Sequence, residues 1–133
     1  MILLDTHIWV WWESDSIRLT RQYREILNNP EEQFAVSIIS CWEIAKLVQY
    51  GRLDLDRSVN LWIESALARP GLELLPLSPS IVVESTQLPE PCHRDPADQL
   101  IIATARMHGI RLLTADSKIL NYPNVLLALR EPA

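Results

Sequence analysis

The chain has 133 residues, a net charge of −5, 48% hydrophobic and 22% charged side chains, which is enough for one domain with one buried core and excludes a disordered chain. The negative charge excludes a general nucleic-acid binder with a basic face, so any dealings with nucleic acid need a cation, a local basic rim or a partner to offset the chain's own field. No apolar run reaches membrane-spanning length and "MILLDTHIW" lacks the basic region and cleavage site of a signal peptide, so a cytoplasmic protein without membrane contact is expected, with Cys41 and Cys92 as two reduced thiols.

In chain order, "ILLD" reads as a short buried strand whose C-terminal residue is Asp5, followed by the Trp-rich "THIWVWWE". In "SIRLTRQYREILNN", Ile17, Tyr23, Ile26 and Leu27 give a loose helical stripe ending before Pro30. "FAVS" is a second strand. "SCWEIAKLVQYG" is a helix stopped by Gly51, and "VNLWIESALA" another, stopped by Pro70-Gly71. "LELLPL" reads as a strand, "SPSIVVESTQL" as a short helix, "ADQLIIATARMHG" as a long helix closed by Gly109, "IRLLTAD" as a strand running into Asp116, and "NVLLAL" as a last strand. Strands alternating with helices predict an α/β domain over residues 1–133, built on a mostly parallel sheet, with ligands bound at the edge where strands end and helices begin.

The acidic residues fall at that edge from four separate segments: Asp5 after the first strand, Glu43 in "SCWE", Asp95 and Asp98 in "HRDPADQ", and Asp116 after "IRLLT". Each has a local explanation. Asp95 before Pro96 reads as an N-cap, Asp98 then falls at the third helical position, Ser40 and Glu43 match a capping box, and Asp116 before "SKIL" can serve as a further N-cap. Serine, threonine or asparagine would cap equally well, however, whereas carboxylates gathered a few ångströms apart repel by roughly 1–4 kcal/mol per pair. A divalent cation removes that repulsion. Hard oxygen donors without thiolate or imidazole suit Mg²⁺ or Mn²⁺, and such a site suits phosphodiester hydrolysis. Asp98 tops the stripe of Ile101, Ile102 and Ala105, so its carboxylate is predicted to point inward over the strand ends. With three glycines in the chain, a glycine-rich phosphate loop is absent, and no nucleophile motif stands out.

Three blocks, "LLDTHIWVWW", "SIISCWEIAKLVQYGRLDL" and "HRDPADQLIIATARMHGIRLLTAD", in this order and spacing, resemble the PIN-domain ribonucleases, and among them the VapC-type toxins of toxin–antitoxin pairs. The resemblance implies a PIN-like α/β/α sandwich, Mg²⁺-dependent endoribonuclease activity on RNA and inhibition by a VapB-type antitoxin partner; a homodimer is a separate expectation. It places the family's catalytic and metal-binding quartet on Asp5, Glu43, Asp98 and Asp116, an additional acid on Asp95, and a site-supporting residue on Thr114. Arg94, Lys46 and Thr114 are candidates for substrate binding. His93 and His108 read as surface histidines. In "WVWW", Trp9, Trp11 and Trp12 cannot all face one core, so an exposed apolar patch is expected there, suited to an antitoxin or a second copy. Arg18, Arg21 and Arg24 would form a short basic ridge. The alternatives are a PIN nuclease of RNA processing without an antitoxin, and a receiver-like interaction module; a receiver wants paired acids after the first strand and a lysine ending a late one, and Asp5 stands alone.

Overall fold

In the computed structural model, which describes residues 1–130, one parallel sheet is built from β1 (Ile2–Leu4), β2 (Phe34–Ser37), β3 (Leu72–Leu75) and β4 (Arg111–Leu113), in the order β3-β2-β1-β4. The helices are α1 (Thr6–Glu13), α2 (Arg21–Leu27), α3 (Ile38–Gln49), α4 (Val59–Leu67), α5 (Pro79–Ser85), α6 (Pro96–His108) and α7 (Ser117–Leu120). Because strand side chains alternate, Ile2, Leu4, Phe34, Val36 and Leu113 pack with Ile8, Trp9, Tyr23, Ile44 and Trp62 on one face. Leu3, Ala35 and Leu112 pack with Ile81, Ile101, Ile102 and Ile119 on the other. Both faces of β1 and β2 are therefore covered, which is why these strands read as continuous apolar runs, whereas the edge strand β3 leaves Glu73 and Leu74 exposed. This is the expected α/β/α arrangement. No helix among the described residues is long and apolar enough to cross a membrane, and both cysteines are free thiols.

The structure corrects several expectations. β2 runs directly into α3 with Ser37 as N-cap, its hydroxyl accepting from Ile39 N at 3.1 Å. Ser40 is therefore inside the first turn rather than a cap, and the capping box with Glu43 does not form. The stripe from Ile17 becomes helical only at Arg21, because Arg24 reaches back to the Ser16 and Leu19 carbonyls and holds the preceding segment as a turn. That same engagement, with Arg21 paired to Glu25 and Arg18 lying over Trp11, dissolves the expected basic ridge. "NVLLAL" is not a strand but a single parallel bridge, Leu112 to Leu127: the three-residue β4 offers it only the Leu112 amide and carbonyl, which bond Leu126 O at 2.8 Å and Ala128 N at 2.9 Å.

The tryptophans also sit differently. Trp9 is fully buried, packed edge-on to Trp62. Trp12 packs edge-on to Phe34 under the Arg69 guanidinium, and Trp11 is covered by Arg18 and His7. No exposed Trp patch forms on α1; the exposed tryptophan is Trp42, on α3. Since Ser37 caps α3, the helix that carries Glu43, Ser37→Ala is expected to lower stability by about 1 kcal/mol. Urea unfolding measures this, and an unchanged midpoint would contradict the cap assignment.

Candidate functional site

Parallel topology puts the C-terminal ends of β1, β2 and β4 at one edge, where α1, α3, α6 and α7 begin. Asp5 leaves β1 and caps α1, its Oδ1 accepting from Thr6 N at 2.8 Å and its Oδ2 from Thr114 Oγ1 at 2.7 Å. The end of β1 is tied to the end of β4 by Asp5 N donating to Leu113 O at 2.9 Å. Asp116 lies two residues past Thr114 and caps α7, accepting from Lys118 N at 2.8 Å. Asp95 caps α6, with Oδ1 accepting from Asp98 N at 3.1 Å. Asp98, in the first turn of α6, lies with Oδ2 at 2.8 Å from His93 Nε2. Glu43, on the second turn of α3, has Oε1 held at 2.5 Å by the Thr6 hydroxyl, which in turn lies 2.8 Å from Ser40 Oγ.

Carboxylate oxygens of Glu43, Asp95 and Asp98 all lie within 4.8 Å of one another. Burial pushes the Glu43 carboxyl up to about 7; the Thr6 bond opposes this, and the charges of Asp5, Asp98 and Asp95 add to it. Burial likewise pushes Asp98 up to about 6, with His93 opposing and Asp5, Asp95 and Asp116 reinforcing. Asp5, only 4% exposed, is also raised by burial against its Thr114 and Thr6 bonds, with Asp116 adding to the rise. The five acidic residues expected at the strand ends therefore share one electrostatic neighbourhood. An all-oxygen donor set of this density, with Glu43 raised to about 7, has the chemistry to take a hard divalent cation. A concavity of about 470 Å³ lies elsewhere, at the C-terminal end of α6 around Arg106 and Gly109.

Of the other residues singled out in the sequence, Arg94 is exposed in the loop before α6, and Lys46 sits one turn beyond Glu43. Thr114 corrects the expectation of substrate binding: it is fully buried, and its hydroxyl is used between Asp5 Oδ2 and Asp116 N at 2.7 and 3.0 Å. His93 is not a surface histidine, since its side chain is 16% exposed and joined to Asp98. Three supporting residues escaped the sequence reading. Thr6 and Ser40 are buried polar groups whose hydroxyls lead to Glu43, and Tyr23 donates to Thr114 O at 2.9 Å. A signal existed for Thr6 and Ser40: each places a hydroxyl beside an acidic segment on a face otherwise apolar.

Comparison with known proteins agrees with this geometry. The PIN domain signature matches residues 2–125. Ribonuclease VapC22 of Mycobacterium tuberculosis is 33% identical over 118 residues, covering 89% of this chain and 88% of the relative. Among solved structures, a toxin–antitoxin complex from Klebsiella pneumoniae superposes with a TM-score of 0.67 at 23% identity, covering 95% of this chain and 96% of the other. Mycobacterium tuberculosis VapC20, described as a sarcin–ricin loop cleaving toxin, gives a TM-score of 0.66 at 13% identity, covering 95% and 99%. At such identities the structural matches speak for the fold alone. Together with the signature over nearly the whole chain and the similarity to the VapC relative, they establish that this protein belongs to the PIN-domain family, in its VapC-type branch.

Proposed function

We propose that the chain is an endoribonuclease dependent on Mg²⁺ or Mn²⁺, and that it acts in the cytoplasm as the toxin of a pair with a VapB-type antitoxin. The observation that carries this reading is the convergence of Glu43, Asp95 and Asp98 within 4.8 Å, with Asp5 and Asp116 near enough to raise their neighbours' proton affinity. RNA as substrate class is supported by the ribonuclease relative and the loop-cleaving toxin, and an antitoxin partner by the solved toxin–antitoxin complex. A homodimer is part of the proposal, with the apolar surface where exposed Val83 and Met107 adjoin as the face a second copy would cover.

In this reading Asp5, Glu43, Asp98 and Asp116 are the catalytic carboxylates, and a cation would be held by some of these together with Asp95. When bound, the cation supplies positive charge to the phosphodiester oxygens and makes nearby water a better nucleophile. The chain's own residues supply the rest. Asp5 is fixed through both oxygens, so its carboxylate enters the site with little freedom left to lose. Glu43, titrating near neutral pH, suits proton transfer at the attacking water. Asp98 is oriented by His93, and Asp116 by the first turn of α7. Lys46 and Arg94 are proposed as phosphate contacts at the rim.

Replacing Asp5 or Asp98 by Asn, which removes charge but little volume, is expected to lower cleavage of an RNA pool at least about 100-fold while leaving the circular dichroism spectrum unchanged. EDTA should stop cleavage and Mn²⁺ or Mg²⁺ restore it. Full activity in either variant, or in EDTA, would overturn the assignment.

The raised carboxyls also make stability depend on pH. A folded-state pKa above the unfolded value contributes stability at low pH that disappears as pH rises through the folded value. In EDTA, Glu43 and Asp98 should therefore make the melting temperature fall between about pH 4 and pH 7, the span from ordinary carboxyl values to the raised ones. Millimolar Mn²⁺ should recover the loss at neutral pH by binding the folded state. Glu43→Gln/Asp98→Asn should melt higher than the unaltered chain at neutral pH in EDTA and gain little from Mn²⁺. Parallel pH profiles for the two proteins would contradict the buried-acid account.

A further inference from the structure

Beside the acidic cluster, α3 carries a feature of which the chemistry above uses only Lys46. Trp42, Lys46 and Tyr50 recur at four-residue intervals and so form one ridge on the helix surface. Trp42 is 54% exposed and Tyr50 67% exposed, whereas the α1 tryptophans are covered. The Lys46 ammonium lies between the two rings, 5.7 Å from the Trp42 centroid and 5.5 Å from that of Tyr50. It makes no ion pair among the described residues, although Glu43 is only one turn away. With Leu47 and the exposed Arg52, these residues line a shallow cavity of about 170 Å³ whose remaining wall is Glu43 itself. From Trp42 to Tyr50 the ridge rises eight residue steps, about 12 Å along the helix axis, with Glu43 beside its N-terminal end.

We propose that this ridge is the binding track for the single-stranded RNA flanking the scissile phosphate, with a base stacked on Trp42 beside the cut, Tyr50 receiving a base farther along, and Lys46 and Arg52 holding the intervening phosphates. This rests on the ribonuclease reading above and names how that site takes its substrate. Three observations favour RNA as the occupant. Aromatic faces interleaved with cations are the arrangement that binds single strands, because every base has a face to stack while its phosphates need positive charge. The cations stand out against a chain of net charge −5, so they mark where a polyanion can approach. The track is continuous with the acidic site through Glu43, so a strand lying on it enters the site without crossing other surface.

The test uses the full chain, a pool of short single-stranded RNAs of mixed sequence, and Mn²⁺. Trp42→Ala is expected to raise KM about 5- to 150-fold, the range that stacking of one base provides, with kcat nearly unchanged. It should also flatten the base preference at one position next to the cleavage site. Trp42→Phe should recover much of the affinity, since a phenyl ring still stacks. RNA should quench the exposed indole in the unaltered chain, and the quench should be lost in Trp42→Phe. Lys46→Gln should weaken binding of all sequences alike and reduce the slope of log K against log salt by about 0.7. Unchanged melting temperatures would show that these surface changes spare the fold. If the unaltered chain cleaves and Trp42→Ala cleaves with the same KM and the same ends, the track is refuted and the nuclease reading stands. If Trp42→Ala instead loses affinity only for a co-expressed antitoxin, the ridge is a protein-docking face and the proposal is equally refuted. If the unaltered chain cleaves no RNA in the pool, the ribonuclease reading fails and the track fails with it.

Discussion

Carboxylates withdrawn from water beside one another are the constraint on which the arrangement of this molecule turns. Asp5 is buried at the end of β1, and Glu43 and Asp98 are pushed up by burial first and by their acidic neighbours second. The fold meets this with helix N-termini: Asp5, Asp95 and Asp116 each cap a helix and accept a backbone amide. Capping and site formation are therefore not rival readings of these residues. The free amides of the first helical turns supply the partial positive charge that lets the acids gather at all. Each such contact is worth about 0.3–1 kcal/mol, against roughly 1–4 kcal/mol for each like-charged pair. The amides cannot balance the cluster alone, and the remainder is what retained protons or a cation must offset.

Behind the acids lies a second tier that converts packing into orientation. Tyr23, buried on α2, donates to the Thr114 carbonyl; the Thr114 hydroxyl donates to Asp5 and accepts from the Asp116 amide. On the other side the buried Ser40 and Thr6 hydroxyls form a short relay ending on Glu43. Buried polar groups are costly unless paired, so these side chains hold each other in one arrangement, and with them the carboxylates. α2, remote in sequence from every acid, thus bears on the site through a single phenol.

The sequence made some of this legible and not the rest, for physical reasons. The strand ends were readable because both sheet faces are covered there, leaving uninterrupted apolar runs that stop at Asp5 and just before Thr114. α6 was readable because Asp95-Pro96 and Gly109 mark its ends, Gly109 taking the left-handed conformation at φ 64° that side chains disfavour. The start of α3 was misplaced because two serines, Ser37 and Ser40, can each cap, and the choice depends on where β2 ends against its neighbours. The terminal strand was overestimated because pairing is limited by β4, whose length no local pattern in "NVLLAL" reveals. His93 was missed because its partner is set by how the loop before α6 folds, and the fate of the tryptophans turned on arginines from other segments. Properties of one element were legible; properties of a meeting between elements were not.

The cations are distributed unevenly around this cluster. Six arginines, Arg21, Arg24, Arg57, Arg69, Arg106 and Arg111, are in ion pairs with acidic side chains, and Arg18 is laid over Trp11. These positive charges are largely neutralised locally and contribute little to the field at a distance. Lys46, Arg52 and Arg94, by contrast, make no ion pair among the described residues, and they flank the acidic cluster on the α3 and α6 sides. An acidic chain of this kind presents a polyanion with repulsion over most of its surface and a short cationic border around the carboxylates. In the proposed reading the net charge of −5 then acts as a filter, because a strand would be held only where it meets that border and only once the cluster's own charge has been reduced.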